Sequence, residues 1–183
     1  MFLVRQQHRL RLILPAVATA LVLAAGVAAA TPTSNVATCD KAMIGHGSAD
    51  WRSESIVAGP AGVARHPLDQ MSPGGNGLTT KMPVLIEGRA PETVTISVPP
   101  TLRKRVFLYY GRLIGRDGKP TTLFTKARGY SETEFQLCGD KPRTIWPGGV
   151  RVKGRAPVHL LVEAEGQEPI RLPLGRPHIY QGN

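Results

Sequence analysis

The segment Gly45-His46-Gly47-Ser48-Ala49-Asp50 sets a histidine, a serine and an aspartate within five positions. Those three residue types perform acyl transfer when a base activates the serine and backbone N–H groups receive the oxyanion. The rigid G-x-S-x-G turn that presents such a serine is missing, so the segment reads as a glycine-rich loop with a polar tip. His46, His66, His159 and His178 stand far apart, without the paired H-x-x-x-H or C-x-x-C spacing that zinc sites use. Glycoside hydrolysis would need two facing carboxylates from among Asp50, Glu54, Asp69, Glu87, Glu132 and Glu134. Trp51 and Trp146 are the only tryptophans, too few for an aromatic-lined sugar groove. Ser72-Pro73-Gly74-Gly75-Asn76-Gly77 is rich in glycine, but no Gly-Lys-Ser/Thr follows to cradle a phosphate. No catalytic residue, metal site or cofactor is therefore expected. A secreted hydrolase whose site assembles only in three dimensions is the alternative.

Two cysteines, Cys39 and Cys138, are the smallest number that can pair within one chain. They lack the close spacing of a redox or metal pair, so a single disulfide is expected. It would close a loop of about a hundred residues, a constraint on the unfolded chain of roughly 4–5 kcal/mol.

That pairing requires an oxidising compartment, and the N-terminal sequence supplies a route to one. Arg5, Arg9 and Arg11 precede an apolar run from Leu12 to Ala30, and the first thirty residues hold no acid. The run ends in Ala28-Ala29-Ala30, whose small side chains suit a signal peptidase; cleavage is expected between Ala30 and Thr31. The alternative is a retained N-terminal membrane anchor, since the run approaches the ~20 residues that span a bilayer. Either way the remaining chain is expected outside the cell.

The 183-residue chain has a formal charge of +10, which becomes +7 once the three signal arginines are gone. Residues 101–155 carry thirteen Lys or Arg against four Asp or Glu. Arg103, Lys104, Arg105, Arg151, Lys153 and Arg155 are the candidate contact residues of a basic face. Outside a cell the fitting partners are anionic cell-wall polymers or lipid headgroups, attracted by long-range electrostatics; nucleic acid belongs to another compartment.

The elements that must carry these residues read as strands. Thr31–Thr38 is a polar lead-in, and residues 31–52 are treated as a lead-in segment. Ser55–Ala58 and Gly62–Arg65 flank a Gly59-Pro60 turn, and residues 72–77 form a loop. Pro83–Glu87 is a strand, and Thr93–Val98 alternates cleanly, with Val94, Ile96 and Val98 on one face. Val106–Tyr110 is apolar on both faces, and Asp117-Gly118 turns the chain into a strand over Thr121–Thr125. Thr133–Cys138 alternates, and Trp146-Pro147-Gly148-Gly149 reads as a turn with glycine at positive φ, leading into Val150–Lys153. Val158–Ala164 is β-prone, and Pro173 marks the following strand as an edge. No segment keeps a 3.6-residue apolar period. Eight or nine short strands predict one all-β domain over residues 53–183, an antiparallel β-sandwich of Ig-like or Greek-key type, with a β-barrel as competitor.

Trp51-Arg52, Gly59-Pro60, Lys81 with Pro83, Val94-Thr95-Ile96-Ser97-Val98, Cys138, Trp146-Pro147-Gly148-Gly149 and Pro173-Leu174-Gly175 span most of residues 31–183. In these the chain resembles a set of uncharacterised secreted proteins of high-GC Gram-positive (actinobacterial) bacteria. The resemblance implies export but brings no activity with it. The expected role is a non-enzymatic binding or structural module of the cell envelope.

Overall fold

The computed structural model describes residues 34–44, 50–74, 77–88, 92–140 and 142–179. The apolar N-terminal run and the proposed Ala30/Thr31 cleavage site lie outside them. Among the described residues no helix is long and apolar enough to cross a membrane. The chain divides into two compact units, residues 1–30 and residues 31–183; all that follows concerns the second.

Among the described residues there are fourteen strands. In chain order they are β1 (Ser34–Ala37), β2 (Met43–Ile44), β3 (Ser55–Ala58), β4 (Ala61–Ala64), β5 (Ser72–Gly74), β6 (Gly77–Lys81) and β7 (Val84–Glu87). The later half supplies β8 (Thr93–Ser97), β9 (Val106–Tyr110), β10 (Glu132–Gln136), β11 (Arg143–Trp146), β12 (Gly148–Val152), β13 (Val158–Ala164) and β14 (Ile170–Gly175). They form a first sheet of order β1-β10-β8-β13-β14, a second of order β2-β11-β7-β4-β3 and a third of order β5-β6-β12-β9. Every pairing is antiparallel except β1 with β10, and no sheet closes into a barrel.

The second and third sheets are two halves of one bent layer. Strands β6 and β7 run on through Met82-Pro83, while β11 and β12 run on through Pro147. Val84 pairs with Trp146 on one side of this junction and Lys81 with Gly149 on the other, so the register is unbroken. The Met82 N–H donates to Gly148 O at 3.0 Å, which places Pro83 directly opposite Pro147. That rung is one where an antiparallel pair exchanges no hydrogen bonds, so two residues without N–H groups cost the ribbon nothing. Their missing donors would have pointed outward, and there the neighbouring strands change. Pairing with β9 stops at Gly148 and pairing with β2 starts at Ile145; on the other side, pairing with β5 extends no nearer the corner than Thr79 and pairing with β4 no nearer than Val84. The facing prolines are the corner at which one ribbon leaves the third sheet and enters the second.

Alternation survives the corner. Met82, Val84 and Ile86 are buried along one strand, and Thr144, Trp146, Val150 and Val152 along the other, so both halves present the same face to one core. The first sheet meets that face with Ile96, Phe135, Leu160, Val162 and Leu172. Phe135 touches both halves edge-on, with ring centroids 5.2 Å from Tyr110 and 5.5 Å from Trp146. The Tyr110 hydroxyl donates to Met82 O at 2.7 Å, tying the third sheet to the corner. A disulfide joins Cys39 to Cys138 just past the ladder in which Ala37 pairs with Phe135. It covalently fixes the parallel edge strand, and it is consistent with an oxidising environment.

Several expectations need correction. The lead-in over residues 31–52 contains β1 and β2, and Trp51 within it is buried over Gly62. The loop at 72–77 is a hairpin, with Gly74 paired to Gly77; Pro73 is tolerated because β5 is an edge strand. No strand forms over Thr121–Thr125. The Thr121 hydroxyl accepts the Leu123 N–H at 3.2 Å, and Leu123 O accepts from Lys126 and Ala127, so the backbone curls instead. Trp146-Pro147-Gly148-Gly149 is extended chain, not a turn. Its glycines allow close approach: a Cβ on Gly148 would lie 2.1 Å from the Tyr110 ring, and one on Gly149 would lie 2.4 Å from Thr80 O. Both tryptophans are buried.

Because the disulfide closes a span of 99 residues, reduction is expected to lower folding stability by about 4–5 kcal/mol. Denaturant unfolding with and without reductant measures this; coincident midpoints would remove the constraint from the account.

Candidate functional site

Strand parity places the basic residues. On β9 and β12 the odd-numbered positions face away from the core, so Phe107 stands opposite Arg151 and Tyr109 opposite Gly149. The Lys153 N–H donates to Arg105 O at 2.7 Å, continuing that ladder by one rung. Arg105, Arg151 and Lys153 therefore share the outer face of the third sheet, and the turns 103–105 and 153–155 meet at its end.

Their roles differ. Arg103 Nε donates to Val98 O at 3.2 Å, while Arg105 Nε donates to Lys153 O and its Nη2 to Ala156 O at 2.7 Å. These two straps keep their charge but spend donors on backbone carbonyls. Lys104 and Arg155 are exposed, and the Lys153 ammonium sits 5.3 Å from the Phe107 ring centroid.

Arg151 is not the exposed point charge the sequence suggested, since only 4% of it is accessible. Its guanidinium lies 5.0 Å from the Phe107 centroid and 5.2 Å from that of Tyr109. Such stacking is worth about 2 kcal/mol when desolvated. Its Nε and Nη1 are nevertheless buried without a hydrogen-bond partner among the described residues, as is the Tyr109 hydroxyl. Burial raises the Tyr109 phenol above its ordinary range, against the opposing pull of Arg151 and Arg116. A buried donor without an acceptor costs about 1–3 kcal/mol.

The long connection from Gly111 to Ser131 adds five bases and one acid, Asp117. It packs as a lobe rather than hanging free: Thr121 N donates to Leu113 O, Arg128 N to Ile114 O and Gly115 N to Lys119 O, at 2.7–3.0 Å. Phe124 leans on Tyr109 at 5.6 Å between centroids. The lobe, the turn at Thr38–Lys41 and Pro147-Gly148 enclose a groove of about 1170 Å³. Its lining residues Arg112, Leu123, Phe124 and Lys126 were not among the sequence-derived candidates; an adjacent Leu-Phe pair inside a basic connection was the available signal.

The acids go elsewhere. Glu132, Glu134 and Glu163 lie on the outer face of the first sheet, where Glu134 and Glu163 flank Thr95. A separate depression of about 540 Å³ is lined by Glu87, Glu92 and Glu165 with Arg52, whose guanidinium Nε binds Glu87 Oε2 at 3.0 Å. Of the six carboxylates weighed for glycoside hydrolysis, Glu87 alone lines it, already engaged by arginine. The histidines stay apart: His66 pairs with Asp69 at 3.5 Å, and His159 on β13 has its neutral form favoured by burial and by Arg171. His178 is exposed at the far end of the chain, and His46 and Ser48 lie outside the described residues. Among the described residues no three His, Cys, Asp or Glu converge on a metal position.

Replacing Arg151 by Met keeps the packing volume and removes the unsatisfied donors. Folding stability is expected to hold or rise by about 1–2 kcal/mol. Thermal or denaturant unfolding reads this, and a loss of similar size would mean that the aromatic stacking outweighs the desolvation. No protein-family model matches the chain, and no curated protein matches it.

Proposed function

We propose that the protein is an exported cell-envelope module without enzymatic activity, which holds anionic wall polymer against its basic side. The observation that carries this reading is the separation of charge by the fold. Within residues 101–155, Glu132 and Glu134 lie on the first sheet, whereas Arg103, Lys104, Arg105, Arg151, Lys153 and Arg155 gather on the third sheet and at its end, and five more bases lie in its lobe; Arg143, on β11, is in the second sheet. A positive side whose bases outnumber its acids, Asp117 in the lobe and Asp40 at the groove, attracts a polyanion at long range. Lys104, Lys153 and Arg155 are the contact residues, and Arg103 and Arg105 stiffen the turns that present them.

Export is supported by the tripartite N-terminal sequence, by the disulfide, and by the resemblance to secreted actinobacterial proteins. Expressed in an exporting Gram-positive host, the protein is expected in the medium as a chain beginning at Thr31. Intact mass measurement decides it; a full-length species confined to membranes would overturn cleavage in favour of an anchor.

Binding of the exported protein to poly(glycerol phosphate) is expected to fall steeply between low and high salt, because exposed charges are screened within about 10 Å at 0.1 M. Glutamine at Lys104, Lys153 and Arg155 together should flatten that dependence. Salt-independent binding, or none at low salt, would sink the proposal.

A further inference from the structure

The groove beside the lobe combines two chemistries on one concave surface. Its walls are apolar and aromatic: Tyr109, Leu113, Leu123, Phe124 and Pro147. Leu123 remains 50% exposed beside this wall. Its rim is cationic. Arg112 and Lys126 line it exposed, without an ion pair among the described residues, whereas Lys41 is answered by Asp40 at 3.5 Å.

The groove is built before any ligand arrives. Gly148 contributes no side chain to it, since the Tyr110 ring occupies the space a Cβ would need. Lys126 N to Leu123 O and Thr121 N to Leu113 O fix the lobe wall, and Asn35 Nδ2 donates to Tyr110 O at 2.7 Å beneath it. Sites for small organic molecules are concave, mostly apolar, largely preformed, and oriented by a few polar groups, at about 300–1,000 Å³. This groove is of that kind, somewhat larger at about 1170 Å³, and its charged groups are three cations, Lys41, Arg112 and Lys126, against one acid, Asp40.

We propose that the groove binds an amphiphilic anion. A phosphate or carboxylate head lies against Arg112 and Lys126, and a hydrocarbon segment lies on Leu113, Leu123 and Phe124. Charge complementarity sets the head, and the exposed Leu123 with the half-buried Phe124 sets the chain. This site is separate from Lys104, Lys153 and Arg155, and it requires hydrocarbon, which poly(glycerol phosphate) lacks.

The test is a titration of the exported protein with dodecyl phosphate below its micelle concentration, read by calorimetry or equilibrium dialysis. Saturable one-to-one binding is expected, at least tenfold tighter than that of inorganic phosphate or of uncharged dodecyl maltoside. Leu123→Asp, and Arg112→Gln with Lys126→Gln, should each weaken binding tenfold or more. Their thermal midpoints should be unchanged, because all three side chains are exposed. Equal binding of inorganic phosphate or dodecyl maltoside, or undiminished binding by the folded variants, would overturn the proposal. Vesicles of phosphatidylglycerol distinguish the source: binding to them points to a lipid leaflet, and binding to the monomeric amphiphile alone points to a free ligand. The Lys104, Lys153 and Arg155 glutamine variant should bind dodecyl phosphate as before, so failure of the polymer reading and failure of this one are separable.

Discussion

The pairing of residues 77–87 with 143–152 is what the rest of the molecule hangs from. One register runs the whole length of this ribbon, through a rung occupied by Pro83 and Pro147. Proline in a central strand ordinarily breaks a ladder. Here the two prolines face each other where no hydrogen bond is exchanged, so the ribbon continues while its outer partners must change. That single rung divides the layer into two sheets and keeps both turned toward one core. Phe135 then packs against a ring from each half, so the first sheet is held by the corner as well as by general burial.

Much of this was legible where structure is local. Thr93–Val98 alternates in burial as its sequence alternates, Val158–Ala164 spans the predicted residues, and Pro173 lies on an edge strand. The cysteine pair followed from counting. What escaped was set by distant partners. Ser34–Ala37 is polar and short, and it is a strand only because β10 lies beside it some hundred residues later. Pro147 with two following glycines carries every local sign of a turn; its extended course depends on Pro83, Tyr110 and Thr80, which no local pattern reveals. Thr121–Thr125 has β-prone side chains, yet a hydroxyl bonded to its own backbone overrode them.

The basic side shows the same division. Composition located the charge in residues 101–155, and strand parity sorted it. Arg151 fell on the outer face but under two rings, so a residue that counts as one charge in a sequence sum became an interior cation. Lys104 and Arg155 kept their exposure because they sit in turns at the end of the sheet. The lobe over residues 111–131 was invisible as a unit because it is held by scattered backbone hydrogen bonds and isolated bridges rather than by an element with a period.

The disulfide also decides how the domain responds to mechanical load. A pull on the chain from its N-terminal side first meets β1, four residues long at the edge of the first sheet. Once β1 peels away, extension stops at Cys39, and the force passes through sulfur to Cys138. The 99-residue span between them, which includes β6, β7 and the lobe, is bypassed and cannot be unravelled from that end. Tension would reach instead the last 45 residues, where β11 to β14 are locked across all three sheets. A domain wired in this way can be tugged at its N-terminal edge while the lobe and the strands between the two cysteines stay off the line of force.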